Sequence, residues 1–209
     1  MKQEHILVVK RSILFPNQAF QGLQAEQTSR FLELIAREKE FKLRPLMEED
    51  PSYKQIIPYL LFKFEDKYFL MQRRSTSSEQ RLKNKYSLGI GGHMRQEDMQ
   101  NNATIFDWGK REFHEEIAYE GNLTIKPLGI LNDDSNAVGQ VHLGLVLLLE
   151  GDSSQIKIRS ELKSGQLLTA HEIQNFYPDL ETWSQIIFDA LLRIPSKPLL
   201  TAASFDIQN

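Results

Sequence analysis

Arg111-Glu112-Phe113-His114-Glu115-Glu116-Ile117 is the stretch on which the reading of this chain turns. If it is helical, with about 100° between successive residues, Glu112, Glu115 and Glu116 fall within an arc of roughly 100°. That arc lies beside the apolar stripe of Phe113 and Ile117. Like charges three or four residues apart on a helix cost ~0.2–0.5 kcal/mol per pair. A hard divalent cation reverses the penalty, because Mg²⁺ takes carboxylate oxygens, keeps several waters and shares its shell with substrate phosphate. Glutamate-rich helices are also common as solvated faces, so the heptapeptide gains its meaning from what surrounds it.

Upstream stands Gly91-Gly92-His93, at the end of a short apolar run from Tyr86 to Ile90 that reads as a strand. Two glycines there permit close backbone approach and could offer a carbonyl oxygen to a metal. The region from Ile105 to Tyr119 has helical spacing, with Phe106, Phe113 and Ile117 on one face and Gly109 allowing close packing. Thr104 or Asn102 is placed to cap its start. Before the glycines, Ile56 to Phe64 and Tyr68 to Arg73 flank the polar turn Glu65-Asp66-Lys67 and read as a β-hairpin. Pro58 places the first of these strands at an edge, or delays its start. After the helix, Leu123 to Leu131 and Val141 to Leu149 read as strands, the second buried on both faces. Ile156 to Ile158 is a further short strand, and Leu180 to Leu192 an amphipathic helix. Strands and helices mix without βαβ regularity, which predicts an α+β fold with a mixed β-sheet between helices.

The strand ending in Gly-Gly, the loop and Arg-Glu-Phe-His-Glu-Glu-Ile together resemble the signature of the Nudix hydrolases. That signature runs Gly, five residues, Glu, seven residues, then Arg-Glu-apolar-any-Glu-Glu-any-Gly-apolar. Gly92 takes its first position, and Arg111, Glu112, Phe113, Glu115, Glu116 and Tyr119 match its downstream half. The upstream half departs from it. Asp98 stands where Glu is expected, twelve residues rather than seven separate it from Arg111, and Ala118 replaces the terminal Gly. The resemblance covers residues 52–194 and implies a Nudix-like α/β/α sandwich.

It further implies hydrolysis of a pyrophosphate linkage in a nucleoside diphosphate derivative or similar small phosphorylated metabolite, with Mg²⁺ or Mn²⁺ as cofactor. Glu112, Glu115 and Glu116 would be the metal carboxylates, Gly92 would give a carbonyl, and Arg111 would orient Glu112 by a charge-assisted hydrogen bond. The general base varies within the family; Glu161 and Glu172 are the downstream candidates. Phosphate calls for cations, and the run MQRRSTSSEQRLKNK over 71–85 supplies Arg73, Arg74, Arg81, Lys83 and Lys85. His93, next to Gly92, is a candidate substrate contact, while His114 reads as surface and His142 as a core or rim residue. Asp98, shorter by a methylene and set behind a polar loop, reads as a structural acid rather than a metal ligand. A homodimer is the assembly the resemblance implies.

Composition sets outer bounds. The chain has 209 residues, 41% hydrophobic and 25% charged, enough for a substantial core. Its net charge of −3 gives no footprint for polymeric nucleic acid. The absence of cysteine excludes disulfides, thiolate metal sites and cysteine nucleophiles, and sets aside an isopentenyl-diphosphate-isomerase-like reading of Gly-Gly-His. No apolar run approaches the ~20 residues of a membrane span, and the N-terminus does not read as a signal peptide, so a cytoplasmic protein is expected. The organisation expected is an N-terminal strand–helix extension over 1–51, the Nudix-like domain over 52–194 and a tail over 195–209. The competing functional reading keeps the fold without catalysis, as a ligand-binding or regulatory protein.

Overall fold

The computed structural model describes residues 4–73, 85–99, 104–159 and 162–192. The first part of the chain forms β1 (His5–Lys10), α1 (Arg11–Leu14), β2 (Gly22–Gln24), α2 (Thr28–Glu38), β3 (Glu40–Leu43) and α3 (Arg44–Met47). A hairpin of β4 (Tyr53–Phe64) and β5 (Lys67–Arg73) follows, then the short β6 (Tyr86–Ser87) and β7 (Gly89–Gly91). A 3-10 turn at Gln96–Met99 precedes α4 (Ile105–Glu116), which runs directly into β8 (Ile117–Tyr119). The remainder is β9 (Leu123–Asn132), α5 (Ala137–Val141), β10 (His142–Gly151), β11 (Ile156–Ile158), β12 (Leu162–Thr169), α6 (Ala170–Ile173) and α7 (Thr182–Ile187). The last of these continues as a π-helical turn, Phe188–Leu192.

Among the described residues, ten strands form one mixed sheet whose main path is β12-β5-β4-β10-β9-β2. Its axis is β4 beside β10, paired in parallel from His142↔Gln55 to Glu150↔Lys63. The neighbours β9 and β5 are antiparallel to them. Alternation along β4 sends Ile56, Leu60 and Phe62 into one core, shared with Trp108 and Phe113 of α4 and Phe31 and Ile35 of α2. The opposite phase, Tyr59 and Leu61, packs against Leu180, Ile187 and Phe188. Burial on both faces is why β10 reads as an unbroken apolar run. The result is the expected sandwich of helices about a mixed sheet. No helix among the described residues is long and apolar enough to cross a membrane.

The first 51 residues join this sheet: β1 pairs with β3 and with β4, and β2 with β9. Several expectations change in detail. Pro58 lies in a central strand, not at an edge. It falls where the second neighbour of β4 changes from β1, ending at Val8↔Gln55, to β7, starting at Tyr59↔Gly91. A residue lacking an N–H is tolerated at such a gap in the ladder. The helix expected to reach Tyr119 stops at Glu116, because Ile117–Tyr119 pairs with Ile156–Ile158. The strand Leu162–Thr169, paired with β5, was not legible, since LKSGQLLT has neither alternation nor a continuous apolar run.

Candidate active site

α4 carries three rows of side chains at intervals of four. Gly109 and Phe113 form the buried row, with Phe113 stacked on Phe62 at 5.6 Å between ring centroids. The helix approaches the sheet closely there, since a Cβ on Gly109 would lie 3.3 Å from the Leu60 side chain. Trp108, Glu112 and Glu116 form the next row, with Trp108 buried and both carboxylates half-buried. Arg111 and Glu115 form the outer, exposed row. The N-terminus is fixed by a capping box in which Thr104 and Asp107 satisfy each other's backbone N–H groups, as the sequence suggested for Thr104.

The end of β7 delivers Gly92 to the edge row. A Cβ there would sit 2.8 Å from Glu112 Oε1 and 3.3 Å from the Trp108 ring, so the glycine backbone lies directly against the carboxylate. Burial, together with Glu115 and Glu116, pushes the Glu112 carboxyl up to about 7, with Arg111 opposing. Three acids are thus held where their charges repel, beside a closely approaching backbone.

Arg111 is not the partner of Glu112. Its guanidinium donates to Glu115 Oε1 at 2.9 Å and to Asp98 Oδ1 at 2.7 Å. The reason is helical geometry: residues 111 and 112 diverge by about 100°, whereas 111 and 115 lie one turn apart on one side. Asp98 is a structural acid in this arrangement. Its side chain, 10% exposed, also accepts from the Trp108 indole N–H at 3.2 Å and from the Arg95 backbone N–H at 2.9 Å. Asp98 thus lies against the helix that follows it in the chain.

Other sequence candidates divide. His93 lies away from the glutamates: its Nε2 is 2.7 Å from Gln55 Oε1 and 3.3 Å from His142 Nε2. Successive residues alternate across the sheet, so Gly92 faces α4 and His93 faces the other way. Burial, aided by Arg44, His142 and Arg95, pushes the His93 imidazole down to about 3 and keeps it neutral. His142 opens β10 and is buried, as read from the sequence, while His114 is exposed. Glu172 accepts from the Thr169 N–H and hydroxyl, each at 2.8 Å, as the cap of α6. Arg73 ends β5, of which only the backbone is described there; Arg74, Arg81, Lys83 and Glu161 lie outside the described residues. The sequence reading missed Glu48, which stands with His93 and His142. Nothing in its acidic stretch Glu48-Glu49-Asp50 marks it out.

No family model matches the chain. Among curated proteins, YmaB of Bacillus subtilis (strain 168) is 38% identical over 202 residues, spanning 90% of this chain and 97% of that protein. Among solved structures, Tm1382, assigned to the Nudix hydrolases, is 30% identical with a TM-score of 0.75, spanning 90% of this chain and 98% of that one. DR0079 from Deinococcus radiodurans, at 17% identity and a TM-score of 0.53 over 73% of this chain and 91% of that one, shares the fold. Likeness to Tm1382 in sequence as well as in structure, over nearly the whole of both chains, joins the carboxylate helix to a known lineage: this chain belongs to the Nudix hydrolase family.

Proposed function

We propose that the protein hydrolyses a diphosphate linkage in a nucleoside diphosphate derivative or a similar small phosphorylated metabolite, dependent on Mg²⁺ or Mn²⁺. The observation that carries this reading is the packing of Glu112 over Gly92, with Glu115 and Glu116 on the same helix face. The donor set fits a hard divalent ion: three neighbouring carboxylates, one of them raised by burial and by the other two, and a glycine backbone lying against it. Such an ion, when bound, supplies charge neutralisation at phosphate and a lowered pKa for its water.

The chain's own residues do the positioning. Phe113 and Gly109 fix the helix on the sheet, so the edge row keeps a constant distance from Gly92. Arg111 holds Glu115 against Asp98, which keeps the outer carboxylate in place before a ligand arrives. Arg73, Arg74 and Arg81 supply cations for the substrate phosphates, whose transfer is governed by positioning and electrostatics. With Glu172 committed to a helix cap, Glu161 is the downstream acid that takes the base role in this reading.

The test is a panel of nucleoside diphosphate derivatives with Mg²⁺ or Mn²⁺, scored by release of phosphate products. Hydrolysis that stops on chelation is expected, and Glu116→Gln should lower kcat at least about 100-fold, or ~2.7 kcal/mol of barrier. Turnover by Glu116→Gln at the wild-type rate would remove the carboxylate helix from the mechanism.

A further inference from the structure

A second constellation sits apart from the carboxylate helix. Each of Glu48, His93 and His142 presents a ligand atom within 4.8 Å of the other two. They come from three distant parts of the chain. Glu48 caps the C-terminus of α3, His93 follows Gly91-Gly92, and His142 opens β10. Gln55 of β4 gathers them: it lies beside His142 in the parallel register, its Oε1 is 2.7 Å from His93 Nε2, and its amide N–H donates to the Met47 carbonyl at 3.0 Å.

We propose that Glu48, His93 and His142 form a binding site for a divalent transition-metal ion, Zn²⁺ by its donor set, distinct from the oxygen-rich site on α4. Two imidazoles and one carboxylate, the shell completed by water, suit zinc, whereas Mg²⁺ favours oxygen ligands alone. The spacing agrees. Zn–N bonds of about 2.05 Å at tetrahedral angles set the two nitrogens about 3.3 Å apart, and His93 Nε2 and His142 Nε2 are 3.3 Å apart.

The surroundings are those of a ligand set. His142 Nδ1 lies 2.7 Å from the Val138 carbonyl, which fixes the proton on Nδ1 and turns the Nε2 lone pair inward. Both rings sit largely out of solvent while Glu48 is exposed, giving a solvent-side entry for the ion. Arg44 Nε holds Glu48 Oε1 at 3.1 Å and orients the carboxylate. In the metal-free chain the His93 Nε2 proton points at Gln55 Oε1. Binding moves that proton to Nδ1 of the same ring and turns the ring off Gln55 Oε1, so the imidazole stays neutral and the Nε2 lone pair faces the ion. Because His93 directly follows Gly92, the ion would clamp the corner on which Glu112 packs, and tie α3 to the sheet.

The experiment titrates Co²⁺ and Zn²⁺ into the full-length Glu112→Gln/Glu116→Gln protein, so that the α4 carboxylates cannot account for the result. One equivalent of Co²⁺ should give the visible absorption of a four-coordinate ion, be displaced by Zn²⁺ and be unaffected by excess Mg²⁺. Adding His142→Gln should abolish that spectrum. Adding Glu48→Gln, a surface change that leaves the core intact, should weaken binding at least about tenfold, which decides the matter even if the His142 variant does not fold. Absence of the spectrum, or its persistence at unchanged affinity in the Glu48→Gln protein, overturns the assignment.

Discussion

Glu112 shows how a single residue records both its burial and its neighbours. Its carboxyl is raised to about 7 from an ordinary 4.5, so between those values the folded chain holds a proton that the unfolded chain has released. Stability therefore falls as pH rises through this window, and the penalty is fully present above about 7. Glu112→Gln removes the charge and keeps the shape. In metal-free protein its melting temperature should exceed that of the wild type by a few degrees at pH 8, and the gap should close towards pH 4.5. Thermal melts across that range check this; a gap independent of pH would show that burial and the neighbouring acids do not raise the Glu112 carboxyl. Asp98 is the second test at this scale. Asn can still accept from the Trp108 indole, so Asp98→Asn should leave kcat within tenfold, or ~1.4 kcal/mol. Asp98→Ala strands that buried N–H and should cost about 1–3 kcal/mol of stability, read as a lower denaturation midpoint. An equal kinetic loss at Asp98 and Glu116 would instead place Asp98 among the metal ligands.

At the scale of the element, α4 is a rigid carrier whose ends are set locally and whose position is set by the sheet. Its N-terminus depends on the Thr104–Asp107 capping box, and its C-terminus on the competing pull of β8 towards β11. Thr104→Ala should destabilise the protein by about 1 kcal/mol, which for a chain of this size lowers the melting temperature by roughly 2–4 °C. Metal affinity should change little, because the glutamates lie two turns further on and are held by Phe113 and Gly109. Calorimetry with and without Mg²⁺ separates the two effects. A collapse of metal affinity in Thr104→Ala would mean that the cap, rather than the sheet contact, positions the carboxylates.

Across the whole molecule, the N-terminal residues are fastened to the central sheet by a partly buried ionic network. Lys54, whose side chain is fully buried, donates to Asp134 Oδ1 at 2.8 Å, to the Gly139 carbonyl at 2.7 Å and to the His142 carbonyl at 3.2 Å. Arg11 of α1 grips the same Asp134. Burial alone would raise the Asp134 carboxyl, but donors from Arg11, Lys54 and Asn132 outweigh it and hold the group well below the usual carboxylate range. Burial pulls the Lys54 ammonium down even though Asp134 supports its charge. Asp134→Ala leaves a buried ammonium with carbonyl partners only, and should cost about 3 kcal/mol. That corresponds to a drop of roughly 6–12 °C in melting temperature. The contribution of Asp134 is present above its ordinary value of 3.8 and is lost as pH falls below it, so wild type and variant should converge in strong acid. A variant as stable as the wild type at neutral pH would show that Arg11 and Lys54 gain nothing net from the pairing.

What the sequence determined by itself depends on near neighbours. Helical spacing placed Glu112, Glu115 and Glu116 on one face, short apolar runs bounded by polar turns gave β4, β9 and β10, and Thr104 announced a helix start. These follow from backbone geometry whatever the rest of the chain does. The structure alone decided what depends on strand order and register. Arg111 turns to Glu115, one helical turn on, and is drawn further from Glu112 by Asp98, which lies against the helix. Pro58 sits in a central strand because that strand changes partners beside it. His93 faces away from the glutamates, and meets Glu48 and His142 only because parallel pairing sets His142 beside Gln55. Pairing across a sheet joins residues that no local period links, which is why the carboxylate helix could be read from one heptapeptide and the histidine cluster could not.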